Sequence, residues 1–140
     1  MNAIHLDARR FDRNAPNFQR MTPEEAALGR GGVYRFYDAD QRPLYIGISV
    51  AFEVRWDAHR LNAPWWANAE FVALSFYPRK RTPLYYFESA AIAREMPPFN
   101  TQRRGVPVKN LRRLAPPLPR FPTTERSARE AHEMRRTHTP

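Results

Sequence analysis

Five residues stand at spacings that could serve one reaction: Tyr34, Tyr45, Arg55, His59 and Glu88. Arg55 and His59 are four apart, so on a helix they share a face. Tyr34 and Tyr45 fall in two β-rich runs that can lie side by side and present two phenols on one face. Glu88 stands within LYYFESAAIA, an otherwise apolar run in which a buried, unpaired carboxylate is costly. Phosphodiester cleavage needs groups of these kinds. Water must lose a proton, which a tyrosine of lowered pKa or a metal can arrange. Charge growing on the phosphate oxygens needs a cation, and Arg55 is the best placed. Glu88 offers the oxygen ligand that a hard divalent metal prefers, and one carboxylate with phosphate oxygens and water suffices for Mg²⁺ (or Mn²⁺). His59 can position phosphate or carry a proton. Taken singly, each residue has an ordinary reading: sheet packing for the tyrosines, a solvated helix face for Arg55 and Glu88, a structural role for His59.

The elements that must hold these residues are readable around them. Residues 1–20 lack clear periodicity and read as a loose arm. Thr22-Pro23-Glu24-Glu25 opens a short helix: Thr22 as N-cap, Pro23 at the first position, two acids at the positive end of the dipole. Gly29 ends it. Residues 32–37 and 44–48 are β-rich runs joined by the polar turn 38–43, which predicts an antiparallel hairpin. A helix over about 50–61 follows, with Ser49 as N-cap and Ala51, Val54, Ala58 and Leu61 as its apolar stripe. Residues 70–77 form a third, buried strand. Thr82-Pro83 caps a helix over about 83–95, with Leu84, Phe87, Ala91 and Ile92 facing inward, and Pro97-Pro98 ends it. The fold class expected is α+β: a small three-stranded mixed or antiparallel sheet in the order β-β-α-β-α, flanked by helices. Trp65-Trp66 reads as a hydrophobic lid on the sheet in preference to a base-stacking platform.

Composition bounds the partners. The chain has 140 residues, 23 Lys plus Arg, 14 Asp plus Glu, and a net charge of +9. With 42% apolar residues it can build a core, which argues against full disorder. No apolar run reaches the ~18 residues of a membrane span. The opening residues lack the apolar stretch of a secretion signal, and there is no cysteine, which excludes disulfides, thiolate metal sites and cysteine nucleophiles. These features set a cytoplasmic expectation. The positive charge points to a polyanion, nucleic acid first. It is unevenly spread: +1 over residues 1–30, +3 over 31–105 and +5 over 106–140. The last segment is also Pro-rich, with PPLPRFP at 116–122 and a thin, marginal helix over 124–136. Such a stretch favours extended polyproline geometry and is not expected to pack a core; it reads as a solvated extension or as an arm on phosphate backbone. The candidate nucleic-acid contacts are the basic turn Arg79, Lys80 and Arg81, together with Arg103, Arg104, Arg112 and Arg113.

At this point the sequence resembles the GIY-YIG nuclease superfamily. Its first motif is matched by Gly32-Val33-Tyr34 and its second by Tyr45-Ile46-Gly47. The helix arginine of the family matches Arg55, the histidine one turn later His59, the metal-binding glutamate Glu88, and an asparagine after a Pro-aromatic pair Asn100. The resemblance covers about residues 31–104. It is nearest to small stand-alone bacterial members with a Trp-Trp pair after the helix and a strand ending in aromatic-Pro, here Tyr77-Pro78. It implies a metal-dependent endonuclease hydrolysing phosphodiester bonds in nucleic acid, DNA ahead of RNA, with one divalent metal on Glu88. By the same resemblance Tyr34 contacts or deprotonates the attacking water, Tyr45 assists at the phosphate, Arg55 stabilises developing charge and His59 assists proton transfer. Gly32, Gly47 and Asn100 order the site. Two alternatives stand beside it: a non-catalytic nucleic-acid-binding protein that retains this fold, and an interaction protein whose PPLP segment docks a partner. The chain divides accordingly into an arm and short helix (1–30), a nuclease-like domain (31–105) and a basic tail (106–140).

Overall fold

The structure, a computed structural model, describes residues 3–29, 31–77, 84–101 and 113–123. In chain order it contains strands β1 (Ile4–His5) and β2 (Arg9–Arg10), helix α1 (Pro23–Leu28), strands β3 (Gly32–Tyr37) and β4 (Pro43–Ser49), helix α2 (Phe52–Asn62), strand β5 (Phe71–Phe76) and helix α3 (Leu84–Glu95). The class is α+β. Among the described residues the sheet has five strands, all antiparallel, not the three expected. β3 lies between β4 and β5, and the arm supplies the two extra strands by pairing β1 and β2 on the far edge of β5. Two-residue strands carry no alternating pattern, so the arm looks irregular until β5 offers it an edge.

Local chemistry explains the elements. The Thr22 hydroxyl accepts a hydrogen bond from the Glu25 N–H at 3.1 Å, and the Glu25 carboxylate accepts one from the Thr22 N–H at 2.9 Å. This capping box starts α1, and Gly29 closes it. Glu25 is itself buried and holds Arg9 through both carboxylate oxygens, at 2.6 and 2.7 Å, tying the arm to α1. The β3–β4 hairpin turns through Asp38, which accepts from the backbone N–H groups of Asp40 and Arg42.

The sheet is covered on both faces. On one lie Phe11, α2 and the Trp65-Trp66 pair, packed with Tyr34, Phe36 and Leu74 into the main core. The aromatic rings meet mostly edge to face, as the ring quadrupoles favour. The inward face of α2 is Phe52, Trp56 and His59; Val54 and Leu61, expected to be buried, are exposed. Nor does Ser49 cap α2: its hydroxyl bonds Ala51, which itself occupies the cap position.

The other face carries α3, whose Ala91 packs on Val33 and Ile46. It also carries part of the Pro-rich segment. Residues 116–121 do not run free of the domain, although Pro117, Leu118 and Arg120 are exposed: Pro116 is buried, and Phe121 stands edge-on to Tyr37 and Phe71 at 5.0 and 5.4 Å. The Arg120 carbonyl accepts from the Ala8 N–H at 2.8 Å. Beneath this strap Arg35 is almost fully buried, pairs with Glu95 at 3.1 Å and donates to the Pro117 carbonyl at 3.0 Å. The Tyr37 hydroxyl donates to the same carboxylate at 2.6 Å, and Arg94 donates to the Pro116 carbonyl. A proline-rich stretch packs here because its carbonyls, which no regular ladder uses, accept from the buried Arg35 and from the more exposed Arg94. No helix among the described residues is long and apolar enough to cross a membrane.

Candidate active site

Tyr34 sits at the centre of β3, fully buried, with its side chain lying across β4. Its partner in register is Gly47, and a Cβ there would stand 2.3 Å from the Tyr34 hydroxyl. Only glycine leaves room for the phenol. Gly32 opens β3 at φ 153°, and a Cβ would meet the Ser75 carbonyl oxygen at 1.9 Å. Both glycines thus serve close approach between strands.

The Tyr34 hydroxyl shares a hydrogen bond of 2.7 Å with His59 Nε2. Tyr45, diagonally across the hairpin, has its ring centroid 6.2 Å from Tyr34 and 4.9 Å from His59. Trp65 stacks on Tyr45 at 5.0 Å, nearly parallel, and its ring lies 4.9 Å from His59. The lid residue expected over the sheet therefore also fixes two polar residues of the site. The Trp-Trp pair was the available signal, though spacing alone does not say which ring meets Tyr45.

Arg55 reaches in from the exposed side of α2. Partial burial works against its charge, but hydrogen bonds and proximity to Tyr34 and Tyr45 outweigh this and hold the guanidinium above its ordinary pKa. Tyr34 moves the other way from the expectation of a lowered pKa. Burial pushes its hydroxyl well above the usual phenol value, the Tyr45 phenol adds to this, Arg55 opposes it and the Glu88 charge raises it further. Burial thus favours the neutral phenol over the phenolate. His59 is pushed down to about 4 by burial and then by Arg55, so its imidazole is neutral at pH 7.

Glu88 is 4% exposed on α3, not solvent-facing, and its charge acts on Tyr34 from that side. Asn100 clamps β4 from its outer edge: its side-chain oxygen accepts from the Ile46 N–H at 2.8 Å and its amide donates to the Ile46 carbonyl at 2.7 Å. Ile46 stands between Tyr45 and Gly47, so this double bond steadies the strand that carries both.

The structure thus gathers Tyr34, Tyr45, Arg55, His59 and Glu88, with Gly32, Gly47 and Asn100 in supporting positions. Of the expected nucleic-acid contacts, Arg113 is exposed; Arg79, Lys80, Arg81, Arg103, Arg104 and Arg112 lie outside the described residues, as do the Thr82-Pro83 cap and the helix over 124–136. No group of three or more metal-binding side chains occurs among the described residues. A single carboxylate fits a Mg²⁺-type ion, which takes one or two protein oxygens and completes its shell with phosphate and water. No family model, curated protein or solved structure matches the chain.

Proposed function

We propose that this chain is a metal-dependent endonuclease of the GIY-YIG type, hydrolysing phosphodiester bonds in nucleic acid, DNA ahead of RNA. The observation that carries the reading is the 2.7 Å bond between Tyr34 and a neutral His59, within reach of Arg55, Tyr45 and Glu88.

The pKa directions of Tyr34 and His59 support a relay in preference to a phenolate base. With burial favouring its neutral form, Tyr34 acts as a relay. Its hydroxyl oxygen accepts a proton from the attacking water as its own proton passes to His59 Nε2, the acceptor in the tautomer protonated at Nδ1. Oxygen of the resulting hydroxide attacks phosphorus, and the bond to the leaving oxygen breaks. The Arg55 guanidinium, already held by both phenols, meets the charge developing on the phosphate oxygens. Tyr45 donates its hydroxyl to the phosphate and is kept in place by Trp65. Glu88 would hold Mg²⁺ or Mn²⁺, which supplies charge neutralisation at the phosphate and leaving oxygens.

One observation favours the non-catalytic binder instead: Tyr34 has no exposed surface, so water and phosphate reach it only if the site opens on binding. Purified full-length protein should nick or cut labelled duplex, branched or single-stranded DNA with Mg²⁺ or Mn²⁺. Glu88→Ala should lose at least 100-fold in rate while keeping its circular dichroism and its DNA affinity. Equal inactivity of wild type and variant, with binding intact, would assign the binder role.

A further inference from the structure

A second basic feature lies behind the tryptophan pair. The arm and α2 enclose a cleft of about 690 Å³ lined by Arg13, Asn17, Arg20, Asp57, Arg60 and Trp66, among others. Three arginines there are matched by two carboxylates, Asp57 on Arg20 and Arg60 and Glu70 on Arg13. Arg20 is 5% exposed, and its bonds to Asn17 and Asp57 are long, at 3.4 Å each. Its Nε finds no acceptor among the described residues. The guanidinium lies over the Trp66 ring at 5.4 Å. A buried cation so thinly compensated is costly unless an anion completes it. Arg13 and Arg60 flank it, paired with Glu70 at 3.0 Å and Asp57 at 2.9 Å through half-exposed contacts that an incoming anion can rearrange. Trp66 is 6.1 Å from Trp65, and Trp65 stacks on Tyr45. The cleft and the tyrosine site thus lie on either side of one aromatic pair.

We infer that this cleft seats a phosphate of the nucleic-acid backbone, gripped by Arg13, Arg20 and Arg60, at a distance from the phosphate that is cut. Guanidinium forks suit that geometry, and three of them around one cleft can meet the tetrahedral oxygens of a phosphodiester from several sides, which a planar carboxylate does not require. The inference rests on the nucleic-acid reading of the site. It gives the chain a second anchor, which sets how the strand runs across Trp65-Trp66 toward Arg55.

The test uses full-length protein without divalent metal, so that binding is read without cleavage. Wild type, the double variant Arg13→Gln/Arg60→Gln and Arg60→Lys are titrated with a labelled oligonucleotide duplex at several salt concentrations. Inorganic phosphate is titrated separately, followed by the Arg20 Nε–H and Trp66 Nε1–H resonances. The double variant should bind about 3- to 30-fold more weakly at low salt, with a log–log salt slope shallower by about 0.9 for the lost phosphate contact, while Arg60→Lys keeps most of the slope. Millimolar phosphate should shift both resonances in wild type but not in the double variant. Unchanged affinity and slope in the double variant would overturn the inference. So would phosphate shifts without any effect on duplex binding, which would assign the cleft to a small phosphate compound. If wild type binds no duplex at any salt, the nucleic-acid reading falls with it; tight binding indifferent to Arg13 and Arg60 removes the cleft alone.

Discussion

The bond between Tyr34 and His59 sets the residue-scale chemistry of this protein, because each group is held in the neutral form by the same burial. Neutral His59 can take a proton; neutral Tyr34 can pass one. The shift of His59 also has a consequence for stability. Its folded pKa, about 4, lies below its unfolded value of 6.5. The unfolded chain therefore binds the proton more readily, and stability falls as pH drops from about 6.5 to about 4, with no further change from this group below that. The loss is on the order of 3 kcal/mol at most. Thermal unfolding across pH 7 to 4 should show this slope in wild type, and His59→Gln should flatten it. An equal slope in both would show that His59 titrates in the fold as it does in water. Nothing in the residue order announces this direction, because desolvation, the largest cause, depends on what packs over Tyr34.

At the scale of elements, the hairpin and its glycines make the site possible, and Asn100 keeps the hairpin's outer strand in place. Asn100→Ala leaves the Ile46 N–H and carbonyl without their side-chain partner. The cost should be about 1–3 kcal/mol, read as a lower denaturant midpoint with an unchanged m-value. On the proposed nuclease reading, cleavage should fall as well, since β4 carries Tyr45 and Gly47. A midpoint shift with full activity would limit Asn100 to folding. The elements differ in how legible they are. α1 is readable because Thr22, Pro23 and Glu25 are adjacent and act on each other locally. The buried face of α2 is not. Val54, Ala58 and Leu61 form a plausible stripe, yet Phe52, Trp56 and His59 face inward, because the large rings of β3 and β5 select the side that fills the most space. A helix wheel weighs positions by polarity alone and misses a histidine whose partner is a tyrosine on another strand.

Across the whole molecule, the strap of residues 116–121 closes one face of the sheet that the arm extends. Arg35, Glu95 and Tyr37 would otherwise present a buried, half-satisfied ionic cluster, and the Pro116 and Pro117 carbonyls complete it. A chain ending after residue 112 should accordingly be about 2–5 kcal/mol less stable than one ending after residue 123, through loss of Phe121 packing and of the carbonyl partners of Arg35 and Arg94. Matched denaturation curves of the two truncations check this; coincident curves would mean that the strap rests on the sheet without stabilising it. Within PPLP the strap buries Pro116 against the chain's own sheet and leaves Leu118 exposed.

By itself the sequence determined the hairpin and the order of the main strands and helices, because these depend on local turn chemistry, alternation and spacing; it also singled out the five candidate site residues that the fold brings together. Only the tertiary structure decided that the arm adds two strands, that Trp65 packs on Tyr45 and His59, and that Tyr34 is buried against His59 with its phenol pKa raised. It alone also brought Arg13, Arg20 and Arg60 around one cleft and laid a proline-rich stretch over Arg35. These are contacts between residues tens of positions apart. Their energies come from desolvation and from which surfaces meet, and no local pattern encodes either.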